Sequence, residues 1–79
     1  LSLNSFAEPF AMWVYKTLTD LGCTCSMEEL KTLLTSPDPD NAKSFFLSKI
    51  SQEKDALKLF NSYNQWRMFI PIFEVQASS

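Results

Sequence analysis

Apolar residues recur at steps of three and four along the first two thirds of the chain, a spacing that predicts three helices. The first helix is expected from near Ser5 to Leu21. Pro9 fits this helix only within its first turn, where the missing N–H costs nothing. Gly22, the only glycine in the chain, is expected to end the helix in the left-handed conformation. The predicted apolar stripe of helix 1 consists of Phe6, Phe10, Trp13, Val14, Thr17, Leu18 and Leu21.

Helices 2 and 3 are each marked by a capping signal. Ser26 followed three residues later by Glu29 forms a capping box, which predicts the start of helix 2. Two prolines between the helices exclude a helix interior, so helix 2 ends before them and Ser36 or Asp38 caps helix 3. Helix 3 is expected to reach about Ser51. The predicted buried residues of both helices are Met27, Leu30, Leu33, Leu34, Ala42, Phe45, Phe46 and Ile50.

In the last third of the chain the period of the apolar residues changes to two, which predicts a β-hairpin. Its strands are expected at Ala56–Phe60 and Trp66–Val75 around a polar turn at 61–65, with Pro71 confined to an edge. Three helices followed by a hairpin make an α+β winged helix-turn-helix, in which the hairpin is the wing. The alternative is an all-α fold of four to five short helices, because residues 52–62 also fit helical spacing.

Size and composition favour one domain with its own core. The chain has 79 residues, of which 46% are hydrophobic and 14% aromatic, enough for a small core without a metal or a disulfide. Because it begins at Leu1 and not at Met, we expect a single domain over 1–79, excised from a longer protein, with an ordered core at about 5–75. The sequence has no signal-peptide pattern and no apolar stretch near the roughly 20 residues of a membrane span. The expected setting is the cytoplasm or nucleus, away from membranes.

Residues that could carry chemistry are few. Cys23 and Cys25 are too close in sequence for an unstrained mutual disulfide, and without histidine or a second cysteine pair they cannot complete a zinc site. We expect free, partly buried thiols at a helix–helix corner in a reducing compartment; the alternative is an intermolecular or redox role. Without histidine there is no imidazole base, and a single glycine excludes a glycine-rich phosphate loop. The sequence therefore predicts no enzyme activity, no metal and no cofactor.

Five segments together carry a resemblance to known domains. They are Leu21-Gly22, Ser26-Met27-Glu28-Glu29-Leu30, Phe45-Phe46-Leu47-Ser48-Lys49-Ile50, Leu57-Lys58-Leu59-Phe60 and Met68-Phe69-Ile70-Pro71-Ile72. Over Phe10–Val75 their order resembles the LOTUS (OST-HTH) domains of germ-granule proteins and the N-terminal winged helix of the zinc-finger antiviral protein family. The resemblance implies a winged helix in RNA regulation, since LOTUS domains bind RNA or a DEAD-box helicase. This chain departs from both families in its acidic charge and in the two prolines between helices 2 and 3.

Five of the seven basic residues lie in the second half of the chain. In a winged helix, helix 3 enters a groove and the wing flanks the backbone, so these cations could contact phosphates. Interleaved carboxylates and a net charge of −2 weigh against duplex binding and leave a solvated, mixed-charge surface as the alternative. Tyr63 and Trp66 could stack on unpaired bases or anchor a protein, or Trp66 could fold back onto helix 1. The predicted nucleic-acid-binding or partner-binding residues are Lys43, Lys49, Lys58, Tyr63, Trp66 and Arg67.

Two functions follow from these patterns. The first is a non-catalytic binding module of an intracellular regulatory protein in RNA regulation, which uses helix 3 and the wing to contact single-stranded RNA or a protein partner. The second is a purely protein–protein interaction domain with no nucleic-acid binding. Both use the same surface, and the sequence leaves the oligomeric state open.

Overall fold

The computed structural model describes residues 3–69 and consists there of four α-helices. Helix α1 spans Leu3–Asp20, α2 spans Met27–Leu34, α3 spans Pro39–Lys49 and α4 spans Glu53–Met68. The described part of the chain contains no strand. Helix α1 packs mainly against α2, and α3 mainly against α4. The fold is therefore two helical hairpins that share one core.

The predicted α+β winged helix is wrong, and the all-α alternative is confirmed. Helix α4 runs without a break through the first predicted strand at 56–60, the predicted turn at 61–65 and the start of the second strand. It also continues past the alternative helix at 52–62 and ends at Met68. The rest of the second predicted strand, at 70–75, lies outside the described residues.

The spacing of buried side chains explains why α4 is a helix. Ala56, Leu59 and Tyr63 are buried and follow one another at steps of three and four, which places them on one face. In the predicted strand Leu57 and Leu59 would share a face, yet Leu59 is 3% exposed and Leu57 is 36% exposed. Residues two apart on a helix point in directions about 200° apart. The predicted turn also lacks a glycine, the residue that supplies positive φ in many hairpin turns.

Helix α1 starts earlier than predicted, and the predicted stripe matches its buried face only in part. Because the helix begins at Leu3, Pro9 lies inside it and not in its first turn, so the Ser5 carbonyl receives no N–H from Pro9. Trp13 and Leu21, both in the predicted stripe, are more than 40% exposed. Two alanines outside the predicted stripe are buried as well and let neighbouring helices approach closely. The fully buried residues of α1 are Ala7, Ala11, Val14 and Leu18.

The link between α1 and α2 forms as predicted. Gly22 has a φ of +81°, in the left-handed region. The Cys23 N–H donates to the Leu18 carbonyl at 2.8 Å, as in a Schellman motif. Ser26 Oγ accepts a hydrogen bond from the Glu29 N–H at 3.0 Å, so the predicted cap of helix 2 is confirmed. These local bonds set where α2 begins.

Helix α3 also begins as predicted, and all four helices contribute to the core. Asp38 Oδ1 accepts a hydrogen bond from the Asp40 N–H at 3.0 Å, with Pro39 at the first helical position. The core predicted for helices 2 and 3 is confirmed for Leu30, Leu34, Ala42, Phe46 and Ile50, whereas Met27, Leu33 and Phe45 are only half-buried. None of the helices within residues 3–69 has the length and apolar composition needed to cross a bilayer.

Candidate functional site

Two aromatic residues predicted to lie on a wing are instead part of the packed structure. Tyr63 has no exposed surface. The Trp66 ring stacks on Phe10 of α1, with ring centroids 4.8 Å apart and planes within 6° of parallel. The alternative prediction, in which Trp66 folds back onto helix 1, is confirmed. Together these rings join the second half of α4 to α1.

Arg67 ties α4 to the link between α2 and α3. Its Nη1 donates to the Ser36 carbonyl and to the Tyr63 hydroxyl, both at 2.8 Å. Its Nη2 donates to the Pro37 carbonyl at 3.2 Å. The guanidinium carbon also lies 5.6 Å from the centroid of the Tyr63 ring. These contacts give Arg67 a structural role, and its contact with RNA stays a prediction.

The three predicted lysines lie on different parts of the surface. Lys43 Nζ is 5.8 Å from the centroid of the Phe60 ring, and Lys49 Nζ is 5.7 Å from that of Phe45. Lys58 lines a groove between α1 and α4. Because Lys58 and Phe60 are two residues apart on α4, they point about 200° apart around its axis. Lys43 and Lys58 therefore border different faces of α4.

The buried phenol of Tyr63 predicts a loss of stability at alkaline pH. Burial raises its pKa above the usual 10.0, and the hydrogen bond with Arg67 only partly opposes this. The folded state thus holds the phenol proton more tightly than the unfolded state does. The resulting contribution to the free energy of unfolding is complete below about pH 10 and is lost as the pH rises through the folded pKa. We expect the free energy of unfolding to fall above about pH 10, and to fall less in Tyr63→Phe. Urea unfolding of the wild type and Tyr63→Phe from neutral pH to above about pH 10 tests this prediction. The same pH dependence of stability in both proteins would contradict it.

Both cysteines are free and half-buried, as predicted. The Cys23 thiol donates to the Lys49 carbonyl at 2.8 Å, which joins the α1–α2 turn to the end of α3. Burial raises the pKa of the Cys25 thiol above its usual 9.0, and the charge of Glu29 raises it further. Because the thiolate is the reactive form, this environment disfavours a redox role for Cys25. Within residues 3–69, no three cysteine or carboxylate side chains are placed to hold a metal.

A cleft of about 510 Å³ lies between α2 and α3. Its floor is apolar, because Leu33 and Phe45 are half-buried there. Two exposed carboxylates, Glu28 and Glu29, come from the first turn of α2. We call this the α2–α3 cleft; it is lined by Glu28, Glu29, Thr32, Leu33, Ser36, Asn41 and Phe45.

The two helices place the lining of the α2–α3 cleft in a definite order. Glu29 and Leu33 are four residues apart on α2, so they are about 6 Å apart along its axis, and Ser36 follows just beyond the end of the helix. Asn41 Nδ2 donates to Ser36 Oγ at 3.0 Å, which fixes the start of α3 beside Ser36. Phe45 lies one turn further along α3. The cleft thus has a carboxylate end, an apolar floor and an end with hydroxyl and amide groups.

The charges of the α2–α3 cleft are negative. Glu28 and Glu29 form no salt bridge with any other residue in 3–69. None of the seven lining residues is basic. Lys49 is not a lining residue but lies close to the floor, with its Nζ 5.7 Å from the centroid of the Phe45 ring. A cationic group of a ligand would therefore find carboxylates without a partner at one end of the cleft.

A second apolar surface lies on α1. Met12 and Tyr15 are exposed there and line a cleft of about 380 Å³ with Met27 of α2. Glu8 and Lys31 also line it, and they form a salt bridge at 3.3 Å. Because these two charges neutralise each other, the surface on α1 shows no charge preference for a ligand.

Sequence reasoning did not identify the α2–α3 cleft. Leu33 and Phe45 are predicted to be buried, and the dipole of a helix by itself accounts for two carboxylates in its first turn. The sequence signal that could have indicated the cleft is the Glu28–Glu29 pair one turn before Leu33 on the same helix.

Comparison with known proteins gives no relative: no family model, curated protein or solved structure matches this chain. The resemblance to LOTUS domains and to the zinc-finger antiviral protein family therefore stays a prediction. Function has to be inferred from the geometry of the chain itself.

Proposed function

We propose that this chain is a non-catalytic module that binds a segment of another protein in the α2–α3 cleft. The observation that carries the proposal is the lining, in which an apolar floor of Leu33 and Phe45 lies beside two carboxylates. Clefts of this kind bury apolar groups of a ligand and orient it with a few polar groups. A nucleic-acid backbone would meet Glu28 and Glu29 as like charges.

The positions of the predicted site residues favour a protein partner over single-stranded RNA. Binding of single strands combines a continuous basic groove with accessible aromatic rings. Here Tyr63 is buried, Trp66 stacks on Phe10, and Arg67 donates to backbone carbonyls. A non-catalytic role fits a chain that has no histidine.

Blocking the cleft is expected to abolish binding. Thr32 is exposed on the cleft wall, so an arginine there occupies part of the cleft and is close enough to pair with its carboxylates without entering the core. We expect Thr32→Arg to weaken, by at least about tenfold, the binding of peptides selected on the wild-type protein from a random phage-displayed library. Fluorescence polarisation with the synthetic peptides measures the change.

Thr19→Arg is the matched control, because it adds the same charge at an exposed position on α1. It should bind the selected peptides like the wild type. A selection that enriches no peptide contradicts the proposed function. So does an equal loss in both variants, or salt-sensitive binding of a single-stranded RNA pool at Lys43, Lys49 and Lys58.

A further inference from the structure

We infer that the segment bound in the α2–α3 cleft is basic and amphipathic, with a large apolar side chain followed or preceded closely by lysine or arginine. This inference rests on the proposed function and adds the chemistry of the partner. The apolar side chain occupies the floor formed by Leu33 and Phe45, and the cation pairs with Glu28 and Glu29.

The first step is the charge of the cleft. Glu28 and Glu29 are adjacent, exposed and without a salt bridge in the described part of the chain. The dipole of α2 accounts for acidic residues in its first turn. It does not account for an open apolar floor directly beside them. A ligand that carries both an apolar group and a cation satisfies both features at once.

The second step is the spacing along the cleft. The carboxylate of Glu29 and the apolar floor at Leu33 start from positions about 6 Å apart along α2, a distance that an extended peptide covers in about two residues. The cation therefore lies within about two residues of the apolar anchor. At the far end, Asn41 uses one N–H for Ser36 Oγ. Its other N–H and its carbonyl oxygen remain available for the peptide backbone.

The third step is the charge of the whole chain. The net charge is −2, which favours basic over acidic partners and opposes close association with a second copy of the chain. Guanidinium binds a carboxylate through two parallel hydrogen bonds, so arginine is the cation best matched to Glu28 or Glu29.

The test uses peptides selected on the wild-type protein from a random phage-displayed library. We expect them to carry lysine or arginine within about two residues of a large apolar residue. Copies in which these cations are replaced by glutamate should bind at least about tenfold more weakly. Glu28→Gln and Glu29→Gln should each lower the affinity for the original peptides about two- to fivefold. This loss should shrink at high salt, which screens exposed charges.

Glu53→Gln is the matched control, because it removes the same charge from the first turn of α4, away from the cleft. It should leave peptide affinity unchanged. Selected peptides without cations overturn the inference, as does binding that Thr32→Arg blocks but Glu28→Gln and Glu29→Gln do not alter. Either result leaves the proposed function in place. A selection that enriches no peptide overturns both.

Discussion

Replacing Phe46 with alanine is expected to lower the free energy of unfolding by about 3–5 kcal/mol. Phe46 has no exposed surface and belongs to the cluster in which all four helices meet. Its ring packs edge-on against Phe45, with centroids 6.0 Å apart. Removing the ring loses its burial and leaves a cavity that rigid helices fill only partly. Since domains of this kind are stable by only about 5–15 kcal/mol, the variant should lose a large part of its stability and unfold at a much lower urea concentration.

Leu47→Ala is the matched control, because Leu47 is the next residue on α3 but is 40% exposed. Leu47→Ala should lower the free energy of unfolding by less than about 1 kcal/mol. Urea unfolding followed by far-UV circular dichroism measures both variants. Equal losses at Phe46 and Leu47 would contradict the burial pattern of α3.

Replacing Arg67 with alanine is expected to lower the free energy of unfolding by about 1.5–3 kcal/mol. The change removes the donor for the Ser36 and Pro37 carbonyls and takes a partner from the Tyr63 hydroxyl. Hydrogen bonds to a charged group lie at the upper end of the usual range. Because Ser36 also lines the α2–α3 cleft, the variant should bind the selected peptides more weakly as well.

Lys58→Ala is the control for Arg67, since it removes a positive charge from an exposed position of the same helix. It should change stability by less than about 0.5 kcal/mol. Urea unfolding and hydrogen exchange of the amides in the α2–α3 link measure the two variants. If Arg67→Ala is as mild as Lys58→Ala, the guanidinium does not hold this link.

Local sequence chemistry was sufficient to predict α2 and α3. Ser26, Gly22 and Asp38 act through hydrogen bonds or backbone conformation within a few residues, so their roles do not depend on distant parts of the chain. The starts of these two helices and the end of α1 follow from these residues.

Tertiary packing decided what the sequence left open. In residues 56–60 the apolar residues fit both a strand and a helix, and the burial of Leu59 and Tyr63 in the shared core selects the helix. In α1 the predicted apolar stripe was right only in part, because its largest residue, Trp13, is exposed. Ala7 and Ala11, which lie outside that stripe, are buried because small side chains let helices pack closely.

The candidate site was the hardest feature to predict. Tyr63, Trp66 and Arg67 have the composition of a binding hot spot, but the same residue types also close a small core against its connecting segments. The α2–α3 cleft depends on how α2 and α3 are placed relative to each other. That placement involves Asn41 and Ser36, whose contact nothing in the sequence pattern indicates.

The most direct test of the α2–α3 cleft as a protein-binding site is one NMR titration series on a single ¹⁵N-labelled sample with assigned backbone amides. A selected peptide should shift amides along the cleft, from Glu28 on α2 to Ser36 in the α2–α3 link and from Asn41 to Phe45 on α3. A single-stranded RNA pool at low salt should shift none of them. Peptide shifts confined to α1 or α4, or salt-sensitive RNA shifts around Lys43, Lys49 and Lys58, would contradict a protein-binding cleft between α2 and α3.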